Sequence, residues 1–207
     1  MLKEIIKKLH NRKANILGHE HAMKTAVLLP LVEIENNTFL LFEKRSLNLK
    51  HQPGEICFPG GKMDSADCDL QATAIRETCE ELGITPNNIE ILGELDTLVA
   101  PSNLIIYSFI ANIKNVNYIK ANPSEVDKVL YIPLKYLLET KPLEHEVILK
   151  PELTDNFPLF LIPQGANYPF RKNRIMHYFY IWEEEVIWGL TARILNHFIS
   201  LLKDSPT

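Results

Sequence analysis

The chain has 207 residues, 46% of them hydrophobic and 23% charged, which is enough for a sizeable core and short for two ordinary domains. Its formal net charge of −4 is mild and argues against a non-specific nucleic-acid binder, which needs a basic surface. No apolar run reaches the roughly 18 residues of a membrane span, and three cysteines without paired-ligand spacing argue against a disulfide framework or zinc site and for a reduced, cytoplasmic setting.

Residues 2–10 read as an amphipathic helix with Leu2, Ile5, Ile6 and Leu9 on one side. Glu4 and the lack of a cleavage pattern favour a surface helix over a targeting peptide. Strands are expected over 25–35 and 38–45, joined by an Asn36-Asn37 turn, because such a turn between apolar runs is a hairpin signal. Short extended pieces follow near 56–58, 89–97 and 104–113, with a helix over 69–82 after the first. A strand over 126–132 runs into a helix over 133–139, and the last third has a strand over 175–182 and a helix over 187–202. Between them, Pro142, Pro151, Pro158, Pro163 and Pro169 interrupt regular structure while Phe157 and Leu159 to Ile162 stay apolar, so 141–169 reads as an ordered loop tucked on the core. We expect one domain over 1–207, with 1–24 as N-terminal helix and lead-in and 141–169 as an embellishment. Strands mixed with a few helices imply an α/β fold with a central mixed sheet covered on both faces.

The most informative stretch runs from Arg76 to Ile84. At about 100° per residue, Glu77, Glu80 and Glu81 fall on one arc of the 69–82 helix, and Ala72, Ile75, Cys79 and Leu82 on the opposite arc. Like charges three and four apart repel by a few tenths of a kcal/mol, whereas a hard divalent cation with oxygen ligands reverses that sign. A run of Glu is also ordinary on a solvated helix face. The preceding Phe58-Pro59-Gly60-Gly61-Lys62 shifts the balance, because paired glycines let backbone approach a ligand closely, and a carbonyl there can complete a carboxylate site. Gly83 stands where a left-handed helix cap is expected. Cys79, on the apolar arc, reads as a small core hydrophobe.

Gly61, five residues, the acid Asp67, then Arg76, Glu77, Glu80, Glu81, Gly83 and Ile84 resemble the Nudix box. That box marks hydrolases that cleave a nucleoside diphosphate linked to another group. Eight residues separate Asp67 from Arg76 where the general pattern has seven, and Asp replaces Glu. Arg45, Ser46, Leu49, Lys50, Gly54, Ile56, Phe58, Pro59, Gly60 and Gly61 resemble the upstream motif of the coenzyme A pyrophosphatase branch, in which the longer box is usual. Trp188 to Arg193 is similar to the start of that branch's C-terminal helix. The resemblance implies a Nudix-type α/β/α sandwich and a metal-dependent hydrolase. Its substrate would be coenzyme A or an acyl derivative, split to adenosine 3',5'-bisphosphate and 4'-phosphopantetheine. A Nudix hydrolase of another compound, such as ADP-ribose, is the first alternative; a non-catalytic nucleotide sensor is the second, disfavoured because the Glu cluster is whole.

A diphosphate is shielded by negative oxygens, so divalent ions must neutralise them and lower the pKa of an attacking water. Glu77 and Glu81, one turn apart, are the first choice as ligands, with Gly61 supplying a carbonyl. Glu80 is either a ligand to a second ion or the group that orients and deprotonates the water. Mg2+ is the default and Mn2+ acceptable, since all-oxygen octahedral sites suit both. Arg76 is expected to hold a Glu of the cluster in place. Gly60, Lys62, Arg45 and Lys50 are the expected substrate contacts, although basic residues near a loop are also ordinary surface. His51 reads as structural, Glu125 as a weaker supplementary base, and the apolar part of 141–169 as a possible wall for the non-nucleotide arm of the substrate. The expected partner is a small molecule, with neither nucleic acid nor membrane, and a homodimer is left open.

Overall fold

The computed structural model describes residues 1–101 and 103–203. In chain order its elements begin with α1 (Leu2–Leu9), β1 (Met23–Ile34), β2 (Asn37–Arg45), β3 (Ile56–Cys57), β4 (Gly60–Lys62) and α2 (Leu70–Leu82). Then come β5 (Ile89–Glu94), β6 (Leu98–Ala100), β7 (Leu104–Ile113), β8 (Val126–Pro133) and α3 (Leu134–Glu139). The last third holds β9 (Leu143–Leu149), β10 (Asn173–Trp182), β11 (Glu185–Ile187) and α4 (Gly189–Lys203). The expected elements are all present, and β4, β6, β9 and β11 are additional.

The chain forms two compact units, one from Met1–Val32 with Phe58–Asn122, the other from Glu33–Cys57 with the chain from Pro123 onward. In the first, β1 runs parallel to β7 from Met23 opposite Leu104 to Leu31 opposite Asn112. Parallel neighbours require a long crossover, and the segment between them contains α2. Strand β4 adds to β1 antiparallel, placing Gly61 opposite Ala26 and Gly60 opposite Val27. Strands β5 and β6 line different halves of β7, both antiparallel. The sheet is therefore mixed, and with its helices the fold is α/β, as expected. Ala26, Leu28, Leu29, Val32, Ile106, Phe109, Ala111 and Leu82 form its buried core. None of the residues of α1 is buried, which agrees with a surface helix.

The second unit pairs β2 antiparallel with β3 and β8, and builds an antiparallel ribbon of β9, β10 and β11. Helix α3 packs on β2 and β8, and α4 on β10. The Tyr180 hydroxyl bonds Asn196 on α4 at 2.9 Å, and burial pushes its pKa up to about 12. The turn before β2 lies one residue earlier than expected, on Glu35 and Asn36, both at positive φ (50° and 61°) as a type I′ hairpin turn requires. Asn37 instead opens the strand, its amide donating back to the Glu35 carbonyl at 3.1 Å.

Segment 141–169 differs from the expected buried loop. Its first part is the strand β9, all seven of whose residues are exposed, and Phe160 and Leu161 are 85% and 71% exposed. Aromatic residues there pack on one another, Phe157 and Tyr168 both meeting Phe170 edge-on. Apolar content alone did not distinguish a local aromatic cluster from a piece of core.

Gly83 ends α2 in the left-handed region (φ 63°, ψ 32°), and a Cβ there would strike the Lys120 carbonyl oxygen. Gly83→Ala is expected to destabilise the protein by more than about 1 kcal/mol, since strain and clash act together. Urea unfolding of the variant checks this; an unchanged midpoint would contradict the close approach.

Candidate active site

Helix α2 begins at Asp69, whose side chain accepts a hydrogen bond from the Ala72 N–H at 2.7 Å, an N-cap that satisfies one of the first turn's free donors. The face it buries is not the one expected. Thr73, Ala74, Thr78, Glu81 and Leu82 are buried, whereas Ala72, Ile75 and Cys79 of the expected apolar arc are only half-buried. At about 100° per residue, that buried face is centred on Glu81. The cause lies on β4, where two residues have no side chain. A Cβ on Gly61 would come within 2.6 Å of both Glu77 carboxylate oxygens, so that carboxylate fills the missing side chain's place. The Gly60 N–H donates to Glu81 Oε2 at 2.8 Å. Glycine at 60 is required twice over, since its φ is 148° and a Cβ would lie 2.7 Å from the Val27 Cα.

Arg76 ties the cluster together. Its Nε and Nη2 donate to the two oxygens of Asp67 at 2.9 and 3.0 Å, a bidentate pair. Nη2 also reaches Glu77 Oε1 at 2.9 Å and the Lys62 carbonyl at 3.3 Å, while Nη1 reaches Glu80 at 3.2 Å. Asp67 in turn accepts from the Asp64 N–H and the Thr73 hydroxyl, both at 2.9 Å. Its side chain is 5% exposed. The Arg76 guanidinium, helped by the Asp64 N–H, holds the Asp67 carboxyl well below the usual carboxylate range, and the guanidinium's own pKa is driven up by Asp67 and then Glu77. Asp67 is thus the anchor of the arginine, a role that the sequence left unassigned. The bidentate geometry sets its position; the signal in the sequence was an acid upstream of the helix with a hydroxyl, Thr73, within reach.

Glu77, Glu80, Glu81, Arg76, Gly60, Gly61 and Lys62 are brought together within the first unit, as expected. Arg45 and Lys50 belong to the second unit, where Arg45 Nη2 donates to the His51 carbonyl at 3.4 Å and Lys50 is exposed. Cys57, Cys68 and Cys79 are not joined in disulfides, and burial, with Glu80 adding to it, pushes the Cys79 thiol up, away from nucleophilic use. Among the described residues no three acidic, histidine or cysteine side chains already form a metal-holding group. Arg76 stands among Asp67, Glu77 and Glu80 instead. The donors themselves, three carboxylates beside glycine backbone with no thiolate or imidazole, fit a hard divalent cation of the Mg2+ or Mn2+ kind.

A family model described as the NUDIX domain matches residues 23–157. The chain belongs to the Nudix hydrolase family. Among Nudix relatives, the mitochondrial coenzyme A diphosphatase of Homo sapiens is 37% identical over 181 residues, which cover 86% of this chain and 68% of that protein. The peroxisomal coenzyme A diphosphatase of Mus musculus is 36% identical over 121 residues, 58% of this chain and 51% of that protein, so the match spans about half of the mouse enzyme. The crystal structure of a MutT/nudix family protein from Enterococcus faecalis superposes with a TM-score of 0.53 at 15% identity, covering 98% of this chain and 70% of that one, a likeness of fold alone. Among the described residues no helix is long and apolar enough to cross a membrane.

Two outcomes are expected at this Nudix site. Gly61→Ala should fold, because the added Cβ meets the movable end of Glu77, yet lose about two orders of magnitude in turnover through displacement of that carboxylate; near-normal turnover would show that the glycine's contact does not matter. Asp67 contributes stability that is complete above the unfolded carboxyl pKa of about 3.9 and is lost as pH falls through its lower folded value. Asp67→Asn should therefore flatten the acid limb of stability against pH in urea unfolding, and an unaltered limb would remove the Asp67–Arg76 pair from the account.

Proposed function

We propose that the chain hydrolyses the diphosphate linkage of coenzyme A or an acyl-coenzyme A, releasing adenosine 3',5'-bisphosphate and the 4'-(acyl)phosphopantetheine. The observation that carries the hydrolytic reading is the carboxylate cluster of Glu77, Glu80 and Glu81, held by Arg76 and laid against Gly60 and Gly61. The substrate rests on the upstream Arg45 to Gly61 motif and on two relatives named as coenzyme A diphosphatases. The whole of 1–207 is taken as one Nudix domain.

Glu77 and Glu81 would hold a divalent cation, Mg2+ or Mn2+, with the Gly61 carbonyl beside them, and Glu80 would either hold a second ion or act on the water. When bound, such an ion supplies charge neutralisation at the diphosphate oxygens and a lowered pKa for a water. Arg76 keeps Glu77 and Glu80 from repelling one another and fixes the rotamer of Glu77. Glu80, the most exposed of the three carboxylates at 55%, is free to turn towards a water and take its proton. Gly60 remains a substrate contact in this reading through its place beside Glu81, and Lys62 neutralises phosphate oxygens. Arg45 and Lys50 serve as further substrate contacts. Cysteines outside disulfides suit a reducing compartment, cytoplasmic in our reading, whereas the two named relatives are peroxisomal and mitochondrial proteins.

Purified protein incubated with coenzyme A, ADP-ribose and diadenosine polyphosphates, with Mg2+, Mn2+ or chelator, should release adenosine 3',5'-bisphosphate from coenzyme A only when metal is present. Glu80→Gln and Glu81→Gln should each lower turnover by about two orders of magnitude or more with folding intact. Turnover of another substrate in preference to coenzyme A would overturn the substrate assignment, and near-normal turnover in both variants would overturn the site.

A further inference from the structure

Beside the carboxylate cluster lies an open cleft of about 540 Å3 lined by His21, Lys24, Lys62, Asp64 and Asp67, among others. Both acids are already engaged. Asp67 is paired with Arg76, and Asp64 accepts from the Ala66 N–H and the Ser65 hydroxyl at 3.0 and 3.1 Å. The cations are not: among the described residues neither the Lys24 nor the Lys62 ammonium makes a hydrogen bond or ion pair. The two lysines are held close by backbone, since the Met63 N–H donates to the Lys24 carbonyl at 3.1 Å and Lys62 lies opposite Thr25 in the β1–β4 pair. Lys24 also lines an adjoining cavity of about 480 Å3 with His19 and Tyr107. There His19 Nδ1 is buried and, among the described residues, has no partner. A buried polar atom without a partner calls for one. Two unpaired ammonium groups in the cleft, with the unpartnered imidazole in the adjoining cavity that shares Lys24, thus leave room for an anion with several acceptor oxygens.

We propose that this cleft, with Lys24 at its centre, binds a phosphate monoester of the substrate, the 3'-phosphate on the same ribose that carries the 5'-diphosphate. This rests on the coenzyme A reading above. The placement supports it: Lys62 lines the cleft, while its carbonyl accepts from Arg76, so one nucleotide extends from the carboxylate cluster into the cleft. A monoester dianion offers two more negative charges than a bare 3'-hydroxyl, and Lys24 is the group that turns this difference into specificity.

The test compares wild type with Lys24→Ala and Lys24→Arg by calorimetric binding of adenosine 3',5'-bisphosphate and of adenosine 5'-monophosphate, and by steady-state hydrolysis of coenzyme A and its 3'-dephospho form. Wild type should bind the bisphosphate about tenfold or more tightly than the monophosphate. Lys24→Ala should erase that preference and raise KM for coenzyme A, with kcat and the KM of the dephospho form changed less than twofold, and Lys24→Arg should restore most of the preference. Equal wild-type affinity for the two nucleotides, or equal losses on both substrates in Lys24→Ala, would overturn the proposal. A protein that prefers the bisphosphate through Lys24 yet leaves coenzyme A intact would support the cleft while overturning the substrate reading.

Discussion

The constraint on which the site depends is the absence of two side chains. On strand β4 the missing side chain of Gly60 makes room for the Ala26 and Val27 backbone of β1 and that of Gly61 for the Glu77 carboxylate of α2, while the Gly60 N–H meets Glu81. Burying Glu81 to 6% exposure costs desolvation unless its oxygens are hydrogen-bonded, and the Gly60 N–H at 2.8 Å is one such bond. The same contact orients α2, so the position of the catalytic candidates and the packing of the helix are one arrangement.

A second constraint follows from charge. Glu77, Glu80, Glu81 and Asp67 crowd one side of the helix, and Arg76 is the cation placed among them. Its planar fork meets Asp67 on two oxygens and still has donors for Glu77, Glu80 and a carbonyl, which a lysine could not match. The pair with Asp67 is the deepest of these, and it ties the helix to the 63–69 loop. An arginine committed in this way acts as scaffold for the carboxylates.

Most of the fold was legible because its signals are local. Apolar runs gave the strands, Gly83 the end of α2, and Trp188-Gly189 the start of α4. The box residues gave the cluster. What was not legible was decided by tertiary contact. Periodicity placed Ala72, Ile75 and Cys79 inward, yet the glycine gap and the hydrogen bond to Glu81 outweighed it and drew Glu77 and Glu81 inward instead. Strand β9 has a sequence that prolines seemed to break up, but its pairing with β10 from Leu143 opposite Phe179 to Leu149 opposite Asn173 defines it. The turn before β2 slipped by one residue because Glu35, not Asn37, takes the left-handed backbone, and the Asn37 side chain donates back to the Glu35 carbonyl. The cationic cleft draws on Lys24, outside every motif, and only the β1–β4 pairing brings it beside Lys62.

The Asp67–Arg76 pair also bears on how such a sequence can drift. Relative to the general box, this chain carries one more residue before the arginine and an acid shorter by one methylene. Both changes fall between fixed ends, with β4 on one side and the Asp69 cap on the other. The Asp64–Ala66 and Asp64–Asp67 turn bonds fold the extra residue into the loop, which returns the carboxylate to the guanidinium with a shorter reach. The Asp67 carboxylate so placed meets the guanidinium at 2.9 and 3.0 Å. Loop 63–69 is therefore a splint for the guanidinium, and a change in its length would move the partner of Arg76 along with the loop.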